Sequence, residues 1–245
     1  MSIANSNSPF RRPGFLIAAA VLVVIALLAV IAVVSGLFAG NDGNASSPTP
    51  GPSAAAPDVA PAADPSVCGL AGYETTSSLV TAPKNEWELV GTVAAPTDPD
   101  VGPGVLEENN FRYCYAHTAE GALFAVANYQ ALASDSRNFA ERSKLFVPGP
   151  GLDAAMADAA SRADDPAPST RLQIAGFKVN SYNGNEATID LALSITTSGG
   201  SLVSFPTVVQ WTDGDWKIVL ADDGKLPITP APLTSLGGYI PWAGV

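Results

Sequence analysis

Histidine occurs once in this chain of 245 residues, and methionine and cysteine twice each. One imidazole and two thiols, with no close ligand pair, do not assemble a zinc site. No metal is expected. Basic residues are scarce as well: 12 Lys and Arg stand against 23 Asp and Glu. That deficit argues against a basic patch for nucleic acid and disfavours acidic substrates. Three catalytic signatures are missing: the Gly-x-Ser-x-Gly elbow, a phosphate-cradling glycine loop and His-Glu-x-x-His. No cofactor is implied.

What is present begins with an uncharged apolar run over residues 15–38, opening on Phe15 and closing on Phe38. A bilayer core about 30 Å thick needs roughly 20 apolar residues as a helix, so the run predicts a transmembrane helix. Arg11 and Arg12 precede it, and the first cation after it is Lys84. By the positive-inside rule, residues 1–14 are a cytoplasmic tail and the bulk of the chain lies outside. The expected localisation is the cell membrane, single-pass, with the bilayer as first partner. A cleaved signal peptide is the alternative, but its apolar region is normally about 7–15 residues and ends in a small-x-small site. Here Leu37 stands where a small residue is wanted.

Residues 39–66 are dominated by Pro, Ala, Gly and Ser. Such a stretch cannot bury enough apolar surface to offset its ordering entropy, and its prolines keep it semi-extended. It is expected to be a disordered stalk. Residues 67–245 then form an extracytoplasmic domain. All 23 acidic residues follow the apolar run, against 10 of the basic ones, leaving that part near −13. Cys68 and Cys114 both lie on the expected outer side, where disulfides persist. Two readings stay open: one bridge between them, or two buried free thiols.

Residues 86–93 alternate at Trp87, Leu89 and Val93 and suggest a strand, and 111–115 another extended piece. Residues 96–104 are rich in turn formers. Thr118 caps a helix with Glu120 in its first turn, and Ala122, Ala125, Val126, Tyr129, Leu132 and Ala133 share one face. Ser134 or Asp135 starts a second helical segment through Phe139 and Leu145, stopped by residues 148–151. A third helix follows over 152–162. The period then changes to two. Leu172 and Ile174 alternate, and the phase slips at Ala175-Gly176 as at a β-bulge. Turns at Asn183-Gly184, Ser198–Ser201 and Asp213-Gly214 separate three further strands. Pro206 argues for an edge or a bulge in the third of the four. Helices ahead of a meander give the α+β class, with about three helices packed on a curved four-stranded antiparallel sheet.

Residues 208–220 read VVQWTDGDWKIVL. With helices first and a bent hairpin after them, residues 118–220 resemble the cone-shaped, cystatin-like fold of nuclear-transport-factor-2-like domains. The stretch CYAHTAEGAL at 114–123 is similar to that of actinobacterial conjugative-element membrane proteins. Anchor, stalk and cone domain together resemble TcpC-like scaffold proteins of type IV secretion. The resemblance implies a membrane-anchored scaffold of a conjugation or secretion apparatus, partnered by its other proteins or by itself. The alternatives are a tethered cone that binds a small molecule and a tethered cone-fold enzyme.

An enzyme of that fold would need a polar group held in an apolar pocket. The candidates are His117, Asp190, Tyr182 and Tyr129. His117 precedes a helix cap and reads as a local hydrogen-bonding residue. Asp190 alternates out of phase with the apolar face and is expected to face solvent or a partner. The tyrosines read as core or rim aromatics. No catalytic residue is assigned. Residues 226–245 hold four prolines, many apolar groups and, past Lys225, no charge. This tail either packs back on the domain or is a docking strip with Tyr239 and Trp242 as its anchors.

Overall fold

The structure is a computed structural model that describes residues 65–77, 79–135, 141–162 and 171–244. All of them fall in the compact unit Asp58–Val245.

The front of the domain is built from short hairpins. β1 (Glu86–Val90) returns as β2 (Val93–Thr97) through a two-residue turn at Gly91 and Thr92, in register from Val90↔Val93 to Glu86↔Thr97. In a two-residue hairpin the closing pair is hydrogen-bonded and the pairs alternate from there. Trp87 and Leu89 occupy the other pairs, so their N–H and C=O groups point to the open edge of β1. Pro96 stands opposite Trp87, where its missing N–H costs the hairpin no bond. β3 (Val105–Leu106) and β4 (Arg112–Tyr113) form a second, shorter hairpin, paired Val105↔Tyr113 and Leu106↔Arg112.

α1 (Ala119–Ala133) starts where its cap predicts: Thr118 Oγ1 accepts the Gly121 N–H, and Glu74 Oε2 accepts that of Ala119. Of its residues only Glu120, Tyr129 and Ala133 are not buried. A helix buried all round must be covered from several sides. α1 packs on β1, β2 and β4 of the front hairpins and also on the main sheet. Its first turn lies so close to the incoming chain that a Cβ on Gly121 would overlap the Ala116 carbonyl oxygen.

α2 (Pro150–Ser161) follows, with Pro at its N-terminal turn and only Gly151 buried. The main sheet is made by β5 (Leu172–Tyr182), β6 (Glu186–Ile195), β7 (Ser201–Thr212) and β8 (Asp215–Ile218). The tail adds β9 (Ala231–Leu233) and β10 (Ile240–Pro241). The order is β10-β5-β6-β7-β8, with β9 beside β8 on the same edge of β7, and every pairing is antiparallel. The bulge expected near Gly176 is present between Ile174 and Gly176, and a second register shift lies between Val179 and Ser181. Gly176 also lets the tail approach, since a Cβ there would meet the Ile240 carbonyl oxygen at 2.8 Å. Pro206 sits in the gap of the β7 edge between the residues paired to β9 and those paired to β8, a local edge where proline is tolerated.

Several expectations are corrected. The fold is not a cone of three helices on a four-stranded sheet: the described residues hold ten strands in three sheets and two α-helices. The second helix is reduced among those residues to a 3-10 turn at Arg142–Leu145, while 136–140 lie outside them. Residues 148–151 open α2 rather than only stopping a helix, because Pro at a first turn needs no N–H partner. Among the described residues no helix is long and apolar enough to cross a membrane. The run at 15–38 lies outside them, so the transmembrane segment, the single-pass topology and the cell-membrane localisation that rested on it are withdrawn. The stalk also lies outside, apart from its last two residues. Ser66 is buried and Val67 N–H donates to the Gly214 carbonyl, so the folded part takes in that end of the expected stalk.

Candidate functional site

Cys68 and Cys114 are joined in a disulfide. The bridge ties the start of the described domain to the strand-like segment that leads into α1. That segment is gripped again from the far side. Asp215, first residue of β8, accepts the N–H groups of Cys114 at 2.8 Å, Tyr115 at 3.0 Å and Trp216 at 2.9 Å. It is buried, and burial pushes its carboxyl up to about 6 against the opposing pull of those three N–H bonds and of Lys217.

Asp215 gives the fold a pH dependence of known sign. The folded state holds this proton more tightly than the unfolded one, whose ordinary value is 3.8. Its contribution to stability is therefore complete below 3.8 and is lost as pH rises through about 6. A rise of about two units corresponds to about 3 kcal/mol. Glu120 is raised in the same sense, by burial and by the charges of Asp98 and Glu74. Urea unfolding at about pH 4 and pH 7 is expected to show the oxidised chain more stable at the lower value, with Asp215→Asn flattening most of the difference. Equal midpoints for the parent chain would refute this.

The four catalytic candidates do not converge on an open pocket. His117 is buried. Its ring stacks on Trp211 with centroids 3.8 Å apart and planes 8° from parallel, and meets the edges of Tyr73 and Trp216. Its Nε2–H donates to the Gly184 carbonyl. Tyr182 is in the same neighbourhood, with its hydroxyl donating to the Glu74 carbonyl at 3.1 Å. Its phenol is raised by burial and by the nearby Glu74. Tyr129, on α1, stands edge-on to Phe146, and its phenol is raised by burial. These groups fasten loops to the core.

Asp190 departs from its expected place at the surface. It is buried, because the tail crosses the face of the sheet that the front of the domain leaves open. Its carboxylate accepts Ser204 Oγ at 2.9 Å and Tyr239 Oη at 2.7 Å, and Lys178 Nζ stands 3.9 Å away. Tyr239 is thus part of an internal network, under the ammonium of Lys178. Trp242 is buried against Trp87, Phe124 and Phe177.

A surface feature with room for another molecule lies at the front. A cleft of about 480 Å³ is lined by Lys84, Glu86, Glu88, Thr97, Asp98 and Leu106, together with neighbouring loop residues. It lies between the β1–β2 hairpin and the segment that forms β3. Three carboxylates face one ammonium there. Glu88 is half exposed and meets Arg112 Nη1 at 3.2 Å. Leu106 is 56% exposed at the lip, and Leu89 on β1 is 75% exposed. Neither the cleft nor Asp215 was anticipated. The alternation of acid and apolar groups along Glu86-Trp87-Glu88-Leu89 is the one signal in the sequence for the first. For the second, the signal is an acid flanked by Trp211 and Trp216 beyond a tight turn.

Among known proteins, a family model described as a domain of unknown function, DUF8175, matches residues 46–241. No curated protein and no solved structure matches the chain. Nothing in these comparisons names a conjugation or secretion apparatus, and that expectation is carried no further.

Proposed function

We propose that this chain, which belongs to the DUF8175 family, is a docking domain that works by holding a protein partner rather than by chemistry. The observation that carries the reading is the contrast between two sets of polar groups. His117, Asp190 and Asp215 are buried and bonded into the fold. In the β1 cleft Glu86 stands exposed beside exposed leucines, and Glu88 keeps half its surface open while it meets Arg112. Groups of the first kind specify a rigid scaffold. Groups of the second kind form an acidic concave surface with an apolar lip, which can select a partner by complementary charge. The bridge suits work in an oxidising environment.

The small-molecule alternative has less support. Between α1 and β8 the described interior holds a cavity of about 10 Å³ lined by Arg112, Tyr115, Tyr129 and Trp216 among others. That is about the space of one water. The large aromatic side chains occupy the room a ligand would need.

The test is a photo-crosslinking residue placed at Leu106, with Ile228 as the control position. Both are exposed. In cells that make the protein, position 106 is expected to give a discrete protein adduct and position 228 none. Adduct at 106 no stronger than at 228 would remove the reading.

A further inference from the structure

We infer that the partner is an extended, cationic segment that adds to the open edge of β1 as a further antiparallel strand. The inference rests on the docking reading above and names the occupant of that same surface. Three features lead to it.

The first is the edge itself. β1 is paired only to β2 among the described strands. The outward N–H and C=O groups of Trp87 and Leu89 take part in none of the described hydrogen bonds. A row of this kind is a template for another strand. In strand addition the main-chain bonds supply affinity and alternate side chains supply selectivity.

The second is the parity of the charges. Residues directly opposite in an antiparallel pair point to the same face. Side chains set opposite Glu86 and Glu88 would therefore enter the cleft, whose lining carries Glu86, Glu88 and Asp98 against Lys84, with Arg112 meeting Glu88 from the buried side. Those incoming positions fit Lys or Arg. The alternate positions fall beside Leu89 and fit apolar residues.

The third is what the same parity excludes. A second copy could offer its own β1. Centred on Trp87, that pairing sets Glu86 of one copy against Glu88 of the other; shifted by two, it sets Glu88 against Glu88. Like charges directly opposite are destabilising. In these registers the edge is guarded against its own kind, and it is open to a strand of opposite charge.

The experiment uses the oxidised full chain and a fluorescent peptide probe of alternating Lys and Val, read by anisotropy. The Lys probe is expected to bind, and a Glu-for-Lys version is not. Glu86→Lys is expected to weaken binding about tenfold, and added salt to weaken it further. Leu89→Pro removes an edge N–H that the fold does not use, and is expected to abolish binding with the melting temperature little changed. Because that variant could perturb β1, a Lys probe N-methylated on its pairing residues repeats the test without touching the protein. Equal binding of methylated and plain probes would show attraction by charge alone and overturn strand addition. No binding of the Lys probe would overturn the cationic occupant. A dimer that Leu89→Pro dissolves would assign the edge to a second copy and also overturn it. If the Lys probe fails while position 106 still gives its adduct, the docking reading stands and only this occupant falls; if both fail, both are gone.

Discussion

Replacing Cys68 and Cys114 together by alanine is expected to lower the unfolding free energy by about 4 kcal/mol, the chain-entropy value for a bridge spanning 46 positions. The span is the reason for the size. A bridge of this reach removes a large set of open conformations from the unfolded chain. The native site adds to the loss. Cys114 is wholly buried, its N–H is held by Asp215, and its carbonyl accepts the Gly104 N–H at 2.8 Å. Urea unfolding of the oxidised parent and the double variant measures it, and reduction of the parent with a thiol should reproduce the shift. A loss below about 1 kcal/mol would mean that the unfolded chain already keeps the two segments together.

The second large effect is expected at Trp242. Changing it to alanine should cost about 3–5 kcal/mol, the range for truncating a large buried aromatic. Its ring lies 4.9 Å from Trp87, 5.5 Å from Phe177 and 5.8 Å from Phe124, centre to centre. Its Nε1–H donates to Asn85 Oδ1 at 2.8 Å. One side chain thus joins the front hairpin, α1 and β5. Trp242→Phe should recover most of the packing and lose the bond to Asn85, falling between parent and alanine. If the alanine variant unfolded at the parent's midpoint, Trp242 would be free for a partner, and the tail would return to being a docking strip.

The parts of the fold that were legible in the sequence are those with a strong period. The meander β5–β8, its turns at Asn183-Gly184 and Asp213-Gly214 and the bulge near Gly176 follow from two-residue alternation and glycine. Thr118 marks the start of α1. The surroundings of α1 were not legible. Its expected face was visible, but the other positions mix Ala119, Ala127 and Ala131 with Leu123, Phe124, Asn128 and Gln130, and such a mixture does not announce that nearly every side is covered. At the front, the alternation over 86–93 and the extended piece at 111–115 do contain β1 and β4, but their hairpin partners β2 and β3 escaped. One of those partners contains Pro96 and the other is two residues long, too short to carry a period. Asp190 was misplaced for a related reason. Its phase does set it on the face away from α1, but that face is covered by a tail whose prolines and glycines have no pattern to place them. Asp215 was hidden behind a turn, where an acid ordinarily meets water.

The pairing of Trp242 with Asn85 has a consequence for the clock of folding. The two residues are 157 positions apart, and Asp215 and Cys114 are 101 apart. Contacts of such separation form only after long stretches of chain have been gathered, and domains dominated by them assemble in milliseconds to seconds rather than microseconds. While the sheet waits for its last two strands, the edges of β5 and β7 stand uncovered. That interval, more than the finished state, is when this protein is most exposed to aggregation.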